Sequence, residues 1–375
     1  MEVKLPDVCR IQYGFAFDSA KFSTATGIPL IRIRDVVRGY SETYTTEECS
    51  EEYFVNDGDL LVGMDGEFNI ARWQGGRALL NQRVCRLIPN QQIDKGYLFY
   101  FMPQALKKIE EQTPFVTVKH LSAKQLNSIS IPLPELGEQQ HIATVLDKIS
   151  GLISFRKQQL AKLDELVKAR FVEMFGDPVQ NDKGWQINRL EEVCSKLTDG
   201  THFSPENLPI GDYKYITAKN IKRDGLDLTN ITYVSKSIHD EIYNRCNPEL
   251  GDVLYIKDGV TTGIAIINPL EEPFTLLSSV ALLKQNRSII LGEYLCGVLN
   301  NQSMYDGIRA NMGGAAITRL TVKKLCDIAI PVAPLGLQEK FAEFVTQIKK
   351  QKLTIQQGLD KLEMLKKALM QEYFE

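Results

Sequence analysis

The chain has 375 residues, a length that suits two domains with separate cores better than one. Hydrophobic residues make up 43% and charged residues 24%, as in soluble globular proteins, and no apolar run approaches the roughly 18 residues of a membrane span. The formal net charge of −3 argues against strong non-specific binding to phosphates, although local basic patches remain compatible with DNA binding.

The first residues and the cysteines indicate the cellular compartment. Met1 to Arg10 mix charges and proline and lack the apolar stretch of a signal peptide, so we expect a cytoplasmic protein with no membrane contact. The seven cysteines form no Cys-x-x-Cys pair and the four histidines are dispersed. We therefore expect free thiols in a reducing compartment and no metal site.

Residues 1–134 predict a β-rich first head. Short apolar runs at Pro29–Ile33, Asp59–Val62 and Val84–Ile88 are bounded by glycine, asparagine and aspartate, as strands are. A short helix is expected near Tyr97–Glu111. These elements predict an α+β head with a twisted, mostly antiparallel or mixed sheet.

A long helix is predicted next, within a spacer of residues 135–180. Pro132 and Pro134 favour extended backbone before it, and Gly176-Asp177-Pro178 ends it after about Glu138 to Phe175. Apolar residues recur every seven positions, a coiled-coil pattern. The predicted seam consists of Leu146, Ile153, Leu160, Val167 and Met174.

The same order then repeats in residues 181–334 and 335–375. The second head has apolar runs at Asp252–Ile256 and Ser279–Leu283, and a helix is expected near Glu293–Arg309. A second long helix follows from about Gln338. Its predicted seam consists of Phe341, Ile348, Ile355, Leu362 and Leu369.

Internal similarity indicates that the chain is a duplicated unit. Half of the positions in Leu121–Pro132 are identical to those in Leu320–Pro331, and Gly58–Leu61 matches Gly251–Leu254 more loosely. The heads differ more than the helical tails. If the two long helices pair antiparallel, they separate the heads around a pseudo-twofold axis, and two readers held at a fixed distance suit a bipartite DNA site.

With these features the chain resembles the specificity (S) subunits of type I restriction-modification enzymes, which serve in phage defence. The resemblance covers the whole chain through its order of heads and helices. The segments that carry it are Gly14–Phe17, Gly27–Val36, Gly58–Gly66 and Leu79–Val84 in the first head, Thr198–His202, Ile216–Ile221 and Gly251–Leu254 in the second, and the boundaries Pro132–Gln139 and Pro331–Glu339, of which the second departs slightly from the family pattern.

The resemblance implies a non-catalytic subunit whose heads are target recognition domains. It implies double-stranded DNA, two adenine-methylating (M) subunits and restriction (R) subunits as partners. S-adenosylmethionine would belong to the M subunits and ATP with Mg to the R subunits, which leaves no cofactor in this chain.

The sequence carries no recognisable catalytic motif. Adenine methylation needs an Asn/Asp-Pro-Pro-aromatic loop, but Asn247-Pro248 and Asn268-Pro269 do not continue in that way. A phosphate-binding loop needs a Gly-Lys dipeptide, and the chain contains none. We therefore expect no catalytic residue.

Candidate DNA contacts are polar or basic residues of the head loops, because Arg, Lys, Thr and His reach phosphates and base edges. Members of the family that recognise different DNA targets do not share their base-contacting residues, so the resemblance identifies no contact residue in this chain. The candidates are Arg32, Arg34, Arg72, Arg83 and Lys119 in the first head, and Thr201, His202, Lys219, Lys222, Arg223, Lys257 and Arg319 in the second.

Two other functions remain open on the sequence. A two-headed coiled-coil scaffold without a DNA role would explain the helices but not the basic loops of both heads. A stand-alone DNA-binding protein would be expected to carry more positive charge. Neighbouring genes for an adenine methyltransferase and a translocase would separate these alternatives.

Overall fold

The computed structural model describes residues 1–113, 119–310, 312 and 319–374. The chain divides into two compact units. Unit 1 consists of Met1–Lys157 and Gln357–Glu375, and unit 2 of Gln158–Gln356. Each unit therefore contains one head and a part of each long helix.

Unit 1 contains the first head. Its strands are β1 (Glu2–Lys4), β2 (Cys9–Tyr13), β3 (Phe22–Ser23), β4 (Ile28–Ile31), β5 (Tyr44–Thr45), β6 (Phe54–Val55), β7 (Leu60–Gly63), β8 (Asn69–Arg72), β9 (Ala78–Leu80), β10 (Val84–Pro89) and β11 (Ser130–Pro132). Its helices are α1 (Leu5–Val8), α2 (Ile33–Arg38), α3 (Lys95–Gln112) and α4 (Ala123–Ser128), and the long helix α5 (Leu136–Phe175) begins here.

The main sheet of the first head is antiparallel, with the strand order β2-β10-β7-β8. A second sheet has the order β3-β5-β4-β9-β6 and contains one parallel pair, β4 with β9. The apolar face of the main sheet packs against α3 and the beginning of α5. Leu60, Leu98, Met102 and Leu146 are fully buried in this core.

Unit 2 contains the second head. Its strands are β12 (Gln186–Arg189), β13 (Cys194–Asp199), β14 (Tyr213–Ile216), β15 (Ile221–Lys222), β16 (Gly225–Leu226), β17 (Thr232–Val234), β18 (Val253–Ile256), β19 (Ala265–Ile267), β20 (Thr275–Leu276), β21 (Val280–Gln285) and β22 (Ala329–Val332). Its helices are α6 (Lys236–Tyr243), α7 (Gly292–Asn300), α8 (Gln302–Ala310) and α9 (Val322–Cys326), and the long helix α10 (Leu335–Phe374) begins here.

The second head repeats the topology of the first. Its main sheet has the order β13-β21-β18-β19, and β14 pairs parallel with β20 as β4 does with β9. Backbone hydrogen bonds repeat at matching positions. The matching bonds are Gly14–Val84 and Gly200–Val280, Phe15–Leu80 and Thr201–Leu276, and Leu121–Met64 and Leu320–Lys257.

Two glycines explain why the first of these bonds forms in both heads. A Cβ atom on Gly14 would lie 2.1 Å from the carbonyl oxygen of Asn81, and one on Gly200 would lie 2.0 Å from that of Leu276. No side chain fits such a distance, so only glycine allows the strands to approach this closely.

Each long helix is attached to the head before it by a buried glutamine. Gln139 Oε1 accepts a hydrogen bond from the Asp94 backbone and its Nε2 donates to Pro134. Gln338 makes the matching bonds to Leu291 and Ala333. The helix starts thus satisfy buried polar groups in the same way in both units.

The long helices run antiparallel within each unit. In unit 1, Lys157 of α5 pairs with Glu363 of α10 at 2.8 Å. Leu146, which precedes Lys157 on α5, shares a core with Phe374, which follows Glu363 on α10. In unit 2, Lys352 pairs with Asp164 at 2.6 Å.

The ten residues of the predicted seam are buried or half-buried. Leu146, Phe341 and Ile348 are buried, and the other seven are half-buried, whereas Phe155 and Met364 beside the stripe are exposed. Helix α5 ends at Gly176, whose φ of 76° is left-handed and whose N–H donates to Val172.

The structure confirms the predicted α+β class with an internal repeat, while the predicted boundaries of the four segments stay a prediction. Two local expectations differ from the structure. The helix expected at Glu293–Arg309 is broken at Asn301, whose side chain accepts the Ser303 N–H. The strand expected at Pro29–Ile33 ends at Ile31, because Asp35 caps a helix there by accepting the Arg32 N–H.

None of the helices among the described residues is both long and apolar enough to span a membrane.

Candidate nucleic-acid interface

Several loops of each head meet at one end of its main sheet, which we call the loop end. In the first head, the residues of the loop end are Phe15, Asp65, Arg83, Lys119 and His120. In the second head, they are Thr201, His202, Lys219, Lys257, Asp258, Ser279 and Arg319. Because these residues follow strand ends in matching positions, the two loop ends share one backbone framework.

In the first head, basic side chains surround Asp65. The Nε atom of Arg83 lies 3.4 Å from one carboxylate oxygen of Asp65, and Nδ1 of His120 lies 2.6 Å from the other. Arg83 and His120 are about half exposed. Lys119, next in the chain, donates to the Glu110 backbone at 2.9 Å. Asp65 therefore orders Arg83 and His120 at the surface without removing them from solvent.

In the second head, a buried lysine occupies the centre of the loop end. Lys257 is 1% exposed, and its Nζ lies 3.1 Å from Asp258 and 3.4 Å from Asp199. Asp199 is 2% exposed. A buried ammonium is tolerated only when it is paired, so the two carboxylates fix the lysine in place.

The same carboxylates hold exposed cationic groups. Arg319 Nε lies 3.4 Å from Asp258, and Arg245 lies 3.2 Å from Asp199, with both arginine side chains about half exposed. Nε2 of His202 also lies 3.2 Å from Asp199. This buried charged group therefore supports three exposed side chains that can contact an anion or a base edge.

The two loop ends differ in side chains while they share a backbone. Asp65 and His120 form an isolated β-bridge, and Asp258 and Arg319 form the same bridge in the second head. His120, rather than Lys119, is thus the structural counterpart of Arg319. Met64 occupies the position of Lys257, because the Met64 carbonyl accepts the Leu121 N–H as the Lys257 carbonyl accepts the Leu320 N–H.

The short helical turn after the first parallel strand presents a cation in both heads. Arg34 lies in the first turn of α2, and Lys219 lies in the corresponding 3-10 turn Ala218–Asn220. Both are exposed. The turn is held beside the loop end, because the Ala218 N–H donates to the Ser279 hydroxyl at 3.2 Å.

The other predicted contacts have different positions. Arg32 is exposed at the start of α2, and Lys222 and Arg223 are exposed on the β15–β16 hairpin, where Arg223 covers the Tyr305 ring at 4.9 Å. Thr201 is buried and its hydroxyl contacts Phe203. Arg72 lies away from the loop end and binds Asp147 of α5.

Sequence reasoning did not find Arg245, Asp199 or the Asp65–His120 pair. Arg245 follows α6 and reaches Asp199 only through the fold, 46 positions away in the chain. Asp65 and Asp258 could have been found from the repeat, because they lie two residues after the matching strand ends Gly63 and Ile256. Among the described residues, no three His, Cys, Asp or Glu side chains form a group that could hold a metal ion.

Comparisons with known proteins indicate the same family over most of the chain. The family model described as type I restriction modification DNA specificity domain matches residues 1–165 and 182–364. The chain is 29% identical to the type I restriction enzyme EcoBI specificity subunit of Escherichia coli, over 93% of this chain and 79% of that protein. It is 23% identical to the MjaVIII specificity subunit of Methanocaldococcus jannaschii, over 91% and 87%.

Solved structures share the fold. The type I restriction-modification S subunit from M. genitalium superposes with a TM-score of 0.62 at 14% identity, covering 100% of this chain and 96% of that one. A chain from work on complex assembly and conformational transition of the type I R-M system gives 0.56 at 17% identity, covering 99% and 96%. At these identities the likeness concerns the fold.

Proposed function

The chain belongs to the type I restriction-modification DNA specificity family, and from this premise we propose that it selects a bipartite DNA target, reading one half-site with each head. The predicted restriction-modification identity is confirmed by these comparisons. The reading of two half-sites, the contact residues and the partner subunits are the proposed part.

The observation that supports the proposal is that the two loop ends share one backbone framework but carry different side chains. Both loop ends are closed by the same backbone bonds and the same β-bridge, yet His120 faces Asp65 where Arg319 faces Asp258. A common framework fixes where loops sit on DNA, and different side chains at its surface present different hydrogen-bonding groups to base edges. This arrangement suits two readers of two different sequences.

The proposed DNA-facing residues are polar groups of the two loop ends, of the helical turns beside them and of the β15–β16 hairpin; all are exposed except Lys119, whose side chain is 22% exposed. In the first head they are Arg32, Arg34, Arg83, Lys119 and His120, and in the second they are His202, Lys219, Lys222, Arg223, Arg245 and Arg319. Thr201 and Lys257 are buried beneath this surface, so we propose that they support it. Local clusters of this kind permit DNA binding at a net charge of −3.

We propose that the chain is a non-catalytic scaffold for two M subunits and, in the full enzyme, R subunits. Chemistry would then depend on S-adenosylmethionine held by the M subunits and on ATP and Mg held by the R subunits. Such a complex would work in the cytoplasm, where it meets chromosomal and phage DNA.

The decisive experiment is a map of methylated adenines in host DNA with and without the gene. The proposal expects one split motif to disappear with the gene. Replacing Ile28–Val118 by the matching segment of another family member should change one half-site only; residues 114–118 of this segment lie outside the described part of the chain. A swap that altered both halves, or a methylome unaffected by the deletion, would contradict the two-reader proposal.

A single substitution tests the contact surface. Arg319→Ala should weaken binding of the M–S complex to its target and reduce the slope of log affinity against log salt by roughly 1, if Arg319 contacts a phosphate. Arg189→Ala is a matched control, because Arg189 is equally exposed and paired with Asp327 but lies on β12, outside the loop end. Equal losses for the two variants would exclude a specific role for Arg319.

A further inference from the structure

Arg72 occupies the end of strand β8 that lies away from the loop end. Strand β8 pairs with β7 so that Asn69 faces Gly63 next to the loop end, whereas Arg72 faces Leu60 three residues further along. At about 3.4 Å per residue, this places Arg72 roughly 10 Å from that edge of the sheet. Its side chain reaches the long helix α5 instead.

Arg72, Tyr100 and Asp147 form a group that we call the polar anchor. The guanidinium donates to both oxygens of Asp147, at 2.7 and 3.4 Å. The Tyr100 hydroxyl donates to Asp147 at 2.7 Å and lies 3.2 Å from the Ser150 hydroxyl. A bidentate arginine–carboxylate pair is directional, so it fixes an angle as well as a distance.

Aromatic rings limit the movement of the arginine. The guanidinium carbon of Arg72 lies 4.4 Å from the centre of the Phe99 ring and 5.6 Å from that of Tyr100, both on α3. Strand β8, helix α3 and helix α5 therefore converge on one side chain. The close contact of these elements also depends on Gly96, whose Cβ position lies only 2.8 Å from the Cβ of Ala143.

The second head has different residues at the corresponding positions. Strand pairing places Ile267 where the first head has Arg72, because it faces Val253 as Arg72 faces Leu60. The repeat places Gly297 at the position of Tyr100 and Thr346 at that of Asp147. A Cβ on Gly297 would lie 2.5 Å from the Phe171 ring, so an aromatic ring of the helix fills this site.

We infer that Arg72 is a positioning residue: the polar anchor sets the angle of the first head on helix α5 and thereby restricts the number of base pairs between the two half-sites. This inference rests on the proposed function. Arg72 then acts through Asp147 and touches no base. Both heads are held by a buried glutamine and by apolar packing, and the first head has the directional ion pair in addition.

The test uses the full chain in complex with its methylating subunits. Methylation rates are measured on DNA duplexes that carry both half-sites at the natural gap and at gaps one base pair longer and shorter. Arg72→Met should reduce the preference for the natural gap by roughly 3- to 10-fold, the scale of one ion pair and one ring contact together, and Asp147→Asn, which keeps the ring contact, should reduce it by about 3-fold. The bases read in each half-site should not change.

Two further variants separate positioning from general weakening. Arg77→Met is a matched control, since Arg77 also covers a ring, that of Phe54 at 3.9 Å, and pairs with Glu51, but contacts no long helix. It should keep the wild-type gap preference. The double variant of Arg72→Met and Asp147→Asn should match Arg72→Met alone, because Arg72→Met already removes the ion pair that Asp147→Asn breaks.

Several results would overturn the inference. They are an unchanged gap preference in Arg72→Met and Asp147→Asn, a change in the bases read, or additive effects in the double variant. If Arg72→Met does not fold, the milder Asp147→Asn decides alone. A wild-type complex that methylates no split sequence would instead refute the proposed function, so the two failures are distinguishable.

Discussion

The two units attach their heads to the long helices by different chemistry on the same backbone. In unit 2, Phe171 and Phe175 contact the rings of both Tyr294 and Phe341 in one cluster of buried rings, with centroid distances of 4.7 to 5.8 Å. In unit 1, Phe374 contacts two rings of α3, Tyr97 at 5.3 Å and Phe101 at 6.0 Å.

The repeat identifies what replaces the missing rings of unit 1. Met370 corresponds to Phe171 and Ile142 to Phe341, and the polar anchor lies beside them. Apolar burial is non-directional and grows with area, whereas an ion pair adds little stability but constrains geometry. We therefore expect the head of unit 2 to be bound more strongly to its long helices, and the angle between head and helix to be more tightly fixed in unit 1.

The largest expected effect comes from removing one ring of the cluster. Phe171→Ala should lower the free energy of unfolding of unit 2 by about 3–5 kcal/mol, as a buried ring leaves a cavity. Met370→Ala, its counterpart, should cost unit 1 less, because Met370 is only half-buried.

The two tryptophans allow the units to be followed separately in urea. Trp73 reports on unit 1 and Trp185 on unit 2, and each can be measured alone after the other is changed to phenylalanine. A larger loss in Met370→Ala than in Phe171→Ala would reverse the proposed ranking of the two attachments.

Lys257 and its counterpart Met64 provide the second test. Lys257→Met would leave Asp199 and Asp258 with only their half-exposed partners, so unit 2 should lose up to about 3–5 kcal/mol. Adding Asp199→Asn removes one of the two carboxylates that lost the buried ammonium and should recover part of the loss. Denaturation followed at Trp185 measures both variants; a stable single variant would mean that the lysine is not paired as described.

A smaller effect is expected from filling the space at Gly297. Gly297→Ala would place a methyl group against the Phe171 ring and should destabilise unit 2 by about 1–3 kcal/mol through overpacking. Gly307→Ala on α8 is the control, because a Cβ there meets no atom within 4 Å. If both changes had the same effect, close packing on Phe171 would not be the cause.

The smallest expected effect is a pH dependence of the polar anchor. Burial alone would raise the pKa of Asp147, but hydrogen bonds from Arg72 and Tyr100 and the charge of Lys366 outweigh it and hold this pKa below its usual value. The carboxylate therefore stabilises unit 1 above its unfolded-state pKa of about 4, and this contribution is lost as the pH falls through the lower folded-state pKa.

Comparison of the wild type with Asp147→Asn measures that contribution. The stability difference between them, followed at Trp73, should be present at neutral pH and disappear in acid below about pH 4. The transition followed at Trp185 should be the same in both proteins. A difference that persisted in acid would mean that the charge of Asp147 does not contribute to the anchor.

Periodic and local features of the sequence determined the order of elements. The seven-residue stripe predicted the long helix α5, the prolines before it predicted its start to within two residues, and the Gly-Asp-Pro signal predicted its end at Phe175. Strands β7, β10, β18 and β21 were predicted from short apolar runs bounded by glycine, asparagine and aspartate, since strands buried at successive positions need apolar residues throughout. The duplication and the family resemblance followed from the order of these segments.

The tertiary structure decided which polar residues meet. Arg72 and Arg83 are both loop arginines in the sequence, yet strand pairing sends one to helix α5 and the other to Asp65. Lys257 is predicted from the sequence as an exposed DNA contact, but it lies buried between the adjacent Asp258 and the distant Asp199. Helix and strand patterns depend on neighbours along the chain, whereas a charge's environment depends on residues brought close by folding, which no local pattern encodes.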